Sequence, residues 1–181
     1  MNKDTTFREW VVLAKHSKFK VGRYSRPLFV GGAATPENLN SLTMGQLIDL
    51  STLEDNDNSL YKVAETILGM ERTAIDGARA VDVVRFVGWV SGEVEKINKL
   101  FEKSDIKPTQ QERKAGIDTL RFGLFGMLDW YAVRMGMQDH DQVLRTPWMR
   151  IYKCMDMDNR KRAYEIRLQH IQAKEMSKNH H

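Results

Sequence analysis

The sequence predicts an all-α fold: a single helical domain with an extended basic N-terminal arm and a long basic C-terminal helix. Three observations lead there. Apolar residues recur at helical spacing over most of residues 42 to 176. Two capping boxes, Thr43 with Gln46 and Thr109 with Glu112, stand in front of such stretches. Only residues 15 to 36, KHSKFKVGRYSRPLFVGGAATP, alternate in the way a strand needs. The chain of 181 residues, 41% hydrophobic, is long enough to bury one sizeable core. The resulting division is an arm over 1–36, a core domain over 37–157, and a basic helix with a polar tail over 158–181.

Taken in order, residues 15 to 36 mix basic with apolar and aromatic side chains and then reach Gly31-Gly32 and Pro36, the pattern of an extended arm or a small hairpin. Thr43 caps a helix to about Leu53, with Leu42 placed to staple against Leu47. The polar run at 54 to 59 is a loop ending in an N-cap, and Val63, Ala64, Ile67 and Leu68 mark a helix over Leu60 to Met70. Residues 71 to 80 fit no single element. Val81 to Lys103 is the clearest amphipathic helix, with Val83, Phe86, Val87, Val90, Val94, Ile97 and Phe101 along one stripe.

Thr109 then opens a helix reaching about Met135. From Leu120 to Val133 it is apolar almost all round, as expected of a central helix enclosed by neighbours. Gly116, Gly123 and Gly126 each lower its helix propensity by roughly 1 kcal/mol against Ala, which points to a close crossing or a kink. Gly136 stops it and Asp139 to Leu144 forms a short helix. Thr146-Pro147 starts a turn or two bearing Trp148, Ile151 and Tyr152, and Asp158 caps a basic helix to about Met176 whose only apolar seam is Tyr164, Leu168 and Ile171. The expected core includes Phe86, Val90, Ile97, Leu120, Leu124, Leu128 and Tyr131.

Composition narrows the function classes. The lone Cys154 excludes an internal disulfide, and no Cys/His zinc spacing occurs. No apolar run follows the acids Asp4 and Glu9 and none approaches the roughly 20 residues of a spanning helix, so neither a signal peptide nor a membrane span is expected. The net charge of +4 is segregated: residues 1–30 carry seven Lys/Arg against two acids, residues 31–144 twelve against eighteen, and residues 145–181 nine against four. Basic ends about an acidic middle suit nucleic-acid binding, association of copies end against middle, or plain solvated arms.

The candidate chemistry is thin. Gly31-Gly32 lacks the Lys-Ser/Thr of a phosphate loop and the acid of a dinucleotide site. Asp139-His140-Asp141 are adjacent residues that point in different directions, so one at most would join a given metal site. Cys154 beside Lys153 has no nearby histidine and reads as a packed thiol. Asp129 inside an apolar helix requires a donor, and a structural pairing is favoured over a catalytic acid. No enzyme, cofactor or metal is expected. Lys15, Lys18, Lys20, Arg23 and Arg26 interleave with Phe19 and Tyr24, which supplies cations for phosphates and rings for stacking, or equally an arm that lies on an acidic neighbour.

The segments SLTMGQLIDLSTL, FGLFGMLDWYAVRMGM and VLRTPWMRIYKCMDMD resemble small α-helical morphogenesis proteins of tailed bacteriophages. In particular they resemble tail-assembly chaperone-like proteins, in which a Leu-Thr-x-Gly-x-Leu-Ile-x-Leu segment precedes a compact helical core. The resemblance covers about residues 41 to 176. It implies a non-enzymatic protein of the bacterial host cytoplasm or the virion, which holds hydrophobic phage structural proteins, such as a tape-measure protein, in a polymerisation-competent form. The basic arm lies outside that pattern and suits a connector, ring or internal component whose copies clasp one another. The expected partners are phage structural proteins or copies of the chain itself in a homo-oligomer, with nucleic acid as the alternative. The contact residues would be Trp148, Tyr152, Tyr164, Leu168 and Ile171 with the basic arm, and residues 1 to 30 should be dispensable for the fold.

Overall fold

The computed structural model describes residues 5–14, 24–54, 56–104, 106–120 and 122–178. Nine α-helices, one 3-10 turn and one two-stranded hairpin account for the elements among them, so the all-α class holds. The chain forms two compact units, one ending at Asn98 and the other beginning at Lys99.

The first unit opens with α1, Phe7–Ala14, inside the segment expected to be an extended arm. Its cause is a capping box that the sequence displays as Thr6-x-x-Glu9. The Thr6 amide donates to Glu9 Oε2 at 2.9 Å and the Glu9 amide donates to the Thr6 hydroxyl at 3.3 Å. The Thr6 amide first, and the Thr6 hydroxyl after it, hold the Glu9 carboxyl below its ordinary range. The chain before the helix pairs with the residues entering α5: the Phe7 amide donates to the Ala78 carbonyl at 2.8 Å and the Ala80 amide to the Thr5 carbonyl at 3.0 Å. Phe7 is fully buried, stacked on Trp10 and edge-on to Tyr61. The expectation that residues 1 to 30 are dispensable is therefore corrected, because both Phe7 and Val30 belong to the core.

Strands β1, Phe29–Val30, and β2, Ala33–Ala34, form the small hairpin. Gly31 and Gly32 both hold positive φ, as a two-residue turn matching strand twist requires. Gly31 is also needed for close approach, since a Cβ there would stand 2.9 Å from Met70 Cε and 3.2 Å from Ala78 Cβ.

Helix α2, Met44–Ser51, begins at the predicted Thr43 box, the Gln46 amide donating to the Thr43 hydroxyl at 3.2 Å and the Thr43 amide to Gln46 Oε1 at 3.0 Å. Asn56 caps α3, Asp57–Leu68, which ends on left-handed Gly69. The ambiguous stretch contains α4, Arg72–Gly77. Helix α5, Ala80–Ser104, buries Val83, Phe86, Val87, Val90, Val94 and Ile97, the stripe read from its periodicity.

In the second unit the long helix expected from Thr109 to Met135 is broken. The Thr109 box does open a helix, α6, but it covers only Gln110–Lys114. A 3-10 turn, Ile117–Thr119, follows, and α7 spans Gly123–Met135. Gly116 and Gly123 sit at φ +85° and +55°, which an α-helix does not accommodate. Gly126 is helical, and a Cβ there would meet Phe122 Cβ at 2.5 Å, so the position excludes a side chain without some shift.

Helix α7 ends on left-handed Gly136, and Asp139 caps α8, His140–Leu144, accepting from the Gln142 amide at 2.9 Å. Helix α9 runs without interruption over Trp148–Lys178. The boundary expected at 157/158 thus falls inside a helix. Asp158 caps nothing and instead receives Arg134, Nε to Oδ2 at 2.9 Å and Nη2 to Oδ1 at 3.1 Å. Leu128, Tyr131, Val143, Trp148 and Ile151 form this unit's core.

Candidate protein-contact surfaces

Helix α7 buries only one side, through Leu128, Tyr131 and Ala132. The expectation that it is enclosed by neighbours is overturned, and Leu120 and Leu124 leave the expected core at 57% and 46% exposure. Phe125, Asp129 and Val133 follow one another at steps of four residues on α7 and so share a second stripe, while Phe122 stands at the helix N-cap, ahead of Gly123. Phe122, Phe125 and Val133 are 67%, 66% and 76% exposed. Single exposed apolar residues are ordinary, whereas several close together on one helix make a candidate contact surface.

Asp129 lies on that same stripe and is 60% exposed, so it carries none of the burial cost expected of it. Its neighbour is His140 on α8, Nε2 standing 3.7 Å from Oδ1, and the His140 ring meets Phe125 edge-on with centroids 4.8 Å apart. The surface therefore pairs two apolar rings with one small polar cluster, a composition suited to a partner with both apolar and hydrogen-bonding groups.

The residues expected to form the interface divide between core and surface. Trp148 is 1% exposed, with its ring centroid 6.1 Å from Phe101 and 6.3 Å from Tyr152. It is a core residue of the second unit, and its assignment to a surface is corrected. Tyr152 is half-buried on the same side of α9, edge-on to Phe101 at 5.5 Å. Tyr164, Leu168 and Ile171 are exposed, and Met157 extends their seam toward the helix start. Two bonds fix the helix below the seam: Asn159 Nδ2 donates to the Ser104 carbonyl at 2.8 Å, and Arg162 pairs with Glu112. Glu112 is held below the ordinary carboxylate range chiefly by the Thr109 amide and hydroxyl, with Arg162 adding to them.

Of the basic arm, Lys15, Lys18, Phe19, Lys20 and Arg23 lie outside the described residues. Tyr24 is exposed, whereas Arg26 is half-buried and donates from Nη1 to the Thr35 carbonyl at 3.0 Å, bracing the hairpin. In the first unit a cleft of about 490 Å³ is lined by Leu28, Phe29, Gly31, Gly32, Arg79 and Arg85 among others. Arg79 is already tied to Asp82 at 2.7 Å, so the cleft brings no set of free titratable groups onto one point.

Among the described residues no group of three or more His, Cys, Asp or Glu side chains is placed to hold a metal ion, and no helix is long and apolar enough to cross a membrane. Sequence reasoning missed the α7 stripe because apolar density looks the same whether a helix is enclosed or exposed. The positive-φ glycines were the available signal that the element was shorter than its apolar run. Comparison with protein-family models, curated proteins and solved structures returned no match.

Proposed function

We propose that this chain is a non-enzymatic assembly or structural protein, of the kind found in tailed-phage morphogenesis, that acts by holding other protein surfaces. The observation that carries the reading is the exposed apolar group of Phe125 and Val133 on α7 with Phe122 at its N-cap. Rings held on a helix and exposed to solvent supply large contact area with little side-chain entropy to lose, which is what a transient hold on an apolar partner needs. The charge segregation along the chain adds orientation, since basic ends and an acidic middle bias how a partner or a second copy approaches. The resemblance of residues 41 to 176 to tail-assembly chaperone-like proteins points the same way and names the partner class, hydrophobic phage structural proteins such as a tape-measure protein.

The test dilutes an unfolded tape-measure segment into buffer with the full chain and follows aggregation by light scattering. The parent chain should suppress scattering, and Phe122→Ser combined with Phe125→Ser should lose the suppression while keeping the parent's helical circular dichroism. Both side chains are exposed, so the fold does not depend on them. Equal suppression by parent and variant would remove the α7 stripe from the mechanism. No suppression by the parent, joined to DNA retention that falls steeply with salt, would replace the proposal with nucleic-acid binding.

A further inference from the structure

Helix α9 has two faces with different occupants. On one side Trp148, Ile151, Tyr152 and Asn159 meet the second unit, and Ile166 continues that line. At 3.6 residues per turn the opposite side carries Met157, Lys161, Tyr164, Leu168 and Ile171, a spacing of four, three, four and three. That is the alternation of a coiled-coil seam, and from Tyr164 to Met176 every side chain except Ile166 is exposed. The seam from Met157 to Ile171 is about 20 Å long at 1.5 Å per residue, and the same spacing next reaches Glu175, which ends its apolar run.

The charges beside the seam say which helix. Along one edge, at intervals of seven, stand Lys153, Arg160, Arg167 and Lys174; along the other stand Asp158, which Arg134 already holds, Glu165, and the uncharged but hydrogen-bonding Gln172. Among the described residues of one copy Arg160 pairs with Asp156 at 2.9 Å and Lys161 stands 3.9 Å from Glu165, with both cations solvent-exposed, where such pairs are weak and readily exchanged. Two copies of α9 laid side by side in parallel and in register put the basic edge of each against the acidic edge of the other. Arg160 of one copy then meets Glu165 of the second, Arg167 meets Gln172, and both contacts occur twice by symmetry. Laid antiparallel, the same helices bring basic edge to basic edge, with Arg167 against Arg167 and Glu165 against Glu165.

The geometry points to a parallel, in-register pairing of α9 with α9 of a second copy of this chain, through Met157, Tyr164, Leu168 and Ile171. It deepens the protein-contact reading above by naming one partner and its orientation. Lys161 occupies the seam position between the Met157 and Tyr164 layers. A lone Lys inside a seam weakens the pair while fixing its register, and the pairing is accordingly a reversible one.

Sedimentation equilibrium of the full-length chain tests the proposal. The parent should show a concentration-dependent monomer–dimer equilibrium, Leu168→Glu should abolish it without change in helical circular dichroism, and Lys161→Leu should tighten it by roughly tenfold, the effect of recovering one apolar layer. Orientation is read in a Cys154→Ser background. Leu168→Cys chains should cross-link to one another under mild oxidation, because a parallel seam sets like positions face to face. A parent that stays monomeric throughout, or a Leu168→Glu chain that dimerises as the parent does, would overturn the proposal. So would cross-linking seen only when Leu168→Cys is mixed with Tyr164→Cys, the antiparallel signature. These outcomes are separable from the function proposed above, since loss of α9 pairing leaves suppression through Phe122 and Phe125 to be measured independently.

Discussion

Replacing Phe7 by Ala tests whether the N-terminal segment belongs to the fold. Phe7 is fully buried, its ring 5.7 Å from Trp10 and 5.0 Å from Tyr61, and its amide is bonded to Ala78. Truncating a buried Phe removes its transfer free energy and leaves a cavity, together about 3–5 kcal/mol, which includes an aromatic-pair contribution of roughly 0.5–1.5 kcal/mol from Tyr61. For a chain of this length each kcal/mol moves the melting temperature by about 2–4 °C, so the expected fall is roughly 6–20 °C. Leu13→Ala on the same helix is the control, because Leu13 is 77% exposed and should melt with the parent to within about 0.5 kcal/mol. Urea unfolding followed by circular dichroism and by tryptophan fluorescence supplies the measurement. If Phe7→Ala and Leu13→Ala both melt within a degree of the parent, α1 is a detachable arm and its burial plays no part in stability.

Three further outcomes are expected. Leu128→Ala should cost about 2–5 kcal/mol in thermal unfolding while Leu124→Ala, on the exposed start of α7, should cost under about 0.5 kcal/mol; equal costs would contradict the broken-helix arrangement. The Tyr131 hydroxyl is buried with no hydrogen-bond partner among the described residues, so Tyr131→Phe should leave stability unchanged or raise it by up to about 1–3 kcal/mol, and a clear loss in a denaturant titration would show that the hydroxyl is satisfied. Asp158 is held below its ordinary pKa, first by its hydrogen bonds from Arg134. Its stabilising contribution is therefore complete above the unfolded value of about 3.9 and disappears as pH falls through the lower folded value. Acid titration of the melting temperature should accordingly be shallower in Asp158→Asn than in the parent over that window.

Local signals were legible wherever a backbone group is satisfied by a near neighbour in sequence. Thr43 and Thr109 both form the expected capping boxes, Gly136 ends α7, Gly31-Gly32 turns a hairpin, and α5 buries its stripe. The Thr6–Glu9 box was equally readable in principle. It was obscured by the basic composition of the segment that follows, which draws the eye toward an arm.

The surfaces were legible only in part, and Trp148 against Tyr164 shows why. Both are aromatic residues on α9, yet one is in the core and the other is exposed. Periodicity places side chains on faces of a helix, but it does not say where neighbours lie. The seam of Tyr164, Leu168 and Ile171 was narrow enough to be read from sequence as lying outside a full core, and all three residues are exposed. Helix α7 was read the other way round, since its all-round apolar surface fits either an enclosed helix or one with an unpartnered stripe.

The sequence by itself determined the helical class, the Thr43 and Thr109 caps, the Gly31-Gly32 turn and the charge partition, because each of the caps and turns depends on groups within a few residues of one another. The tertiary structure alone decided that α1 is packed through Phe7, that α7 leaves Phe122, Phe125 and Val133 in solvent, and that α9 is one helix with an occupied face and a free one. Those outcomes depend on which elements meet. Burial is a property of the pair, and no residue carries its partner's position in its own type.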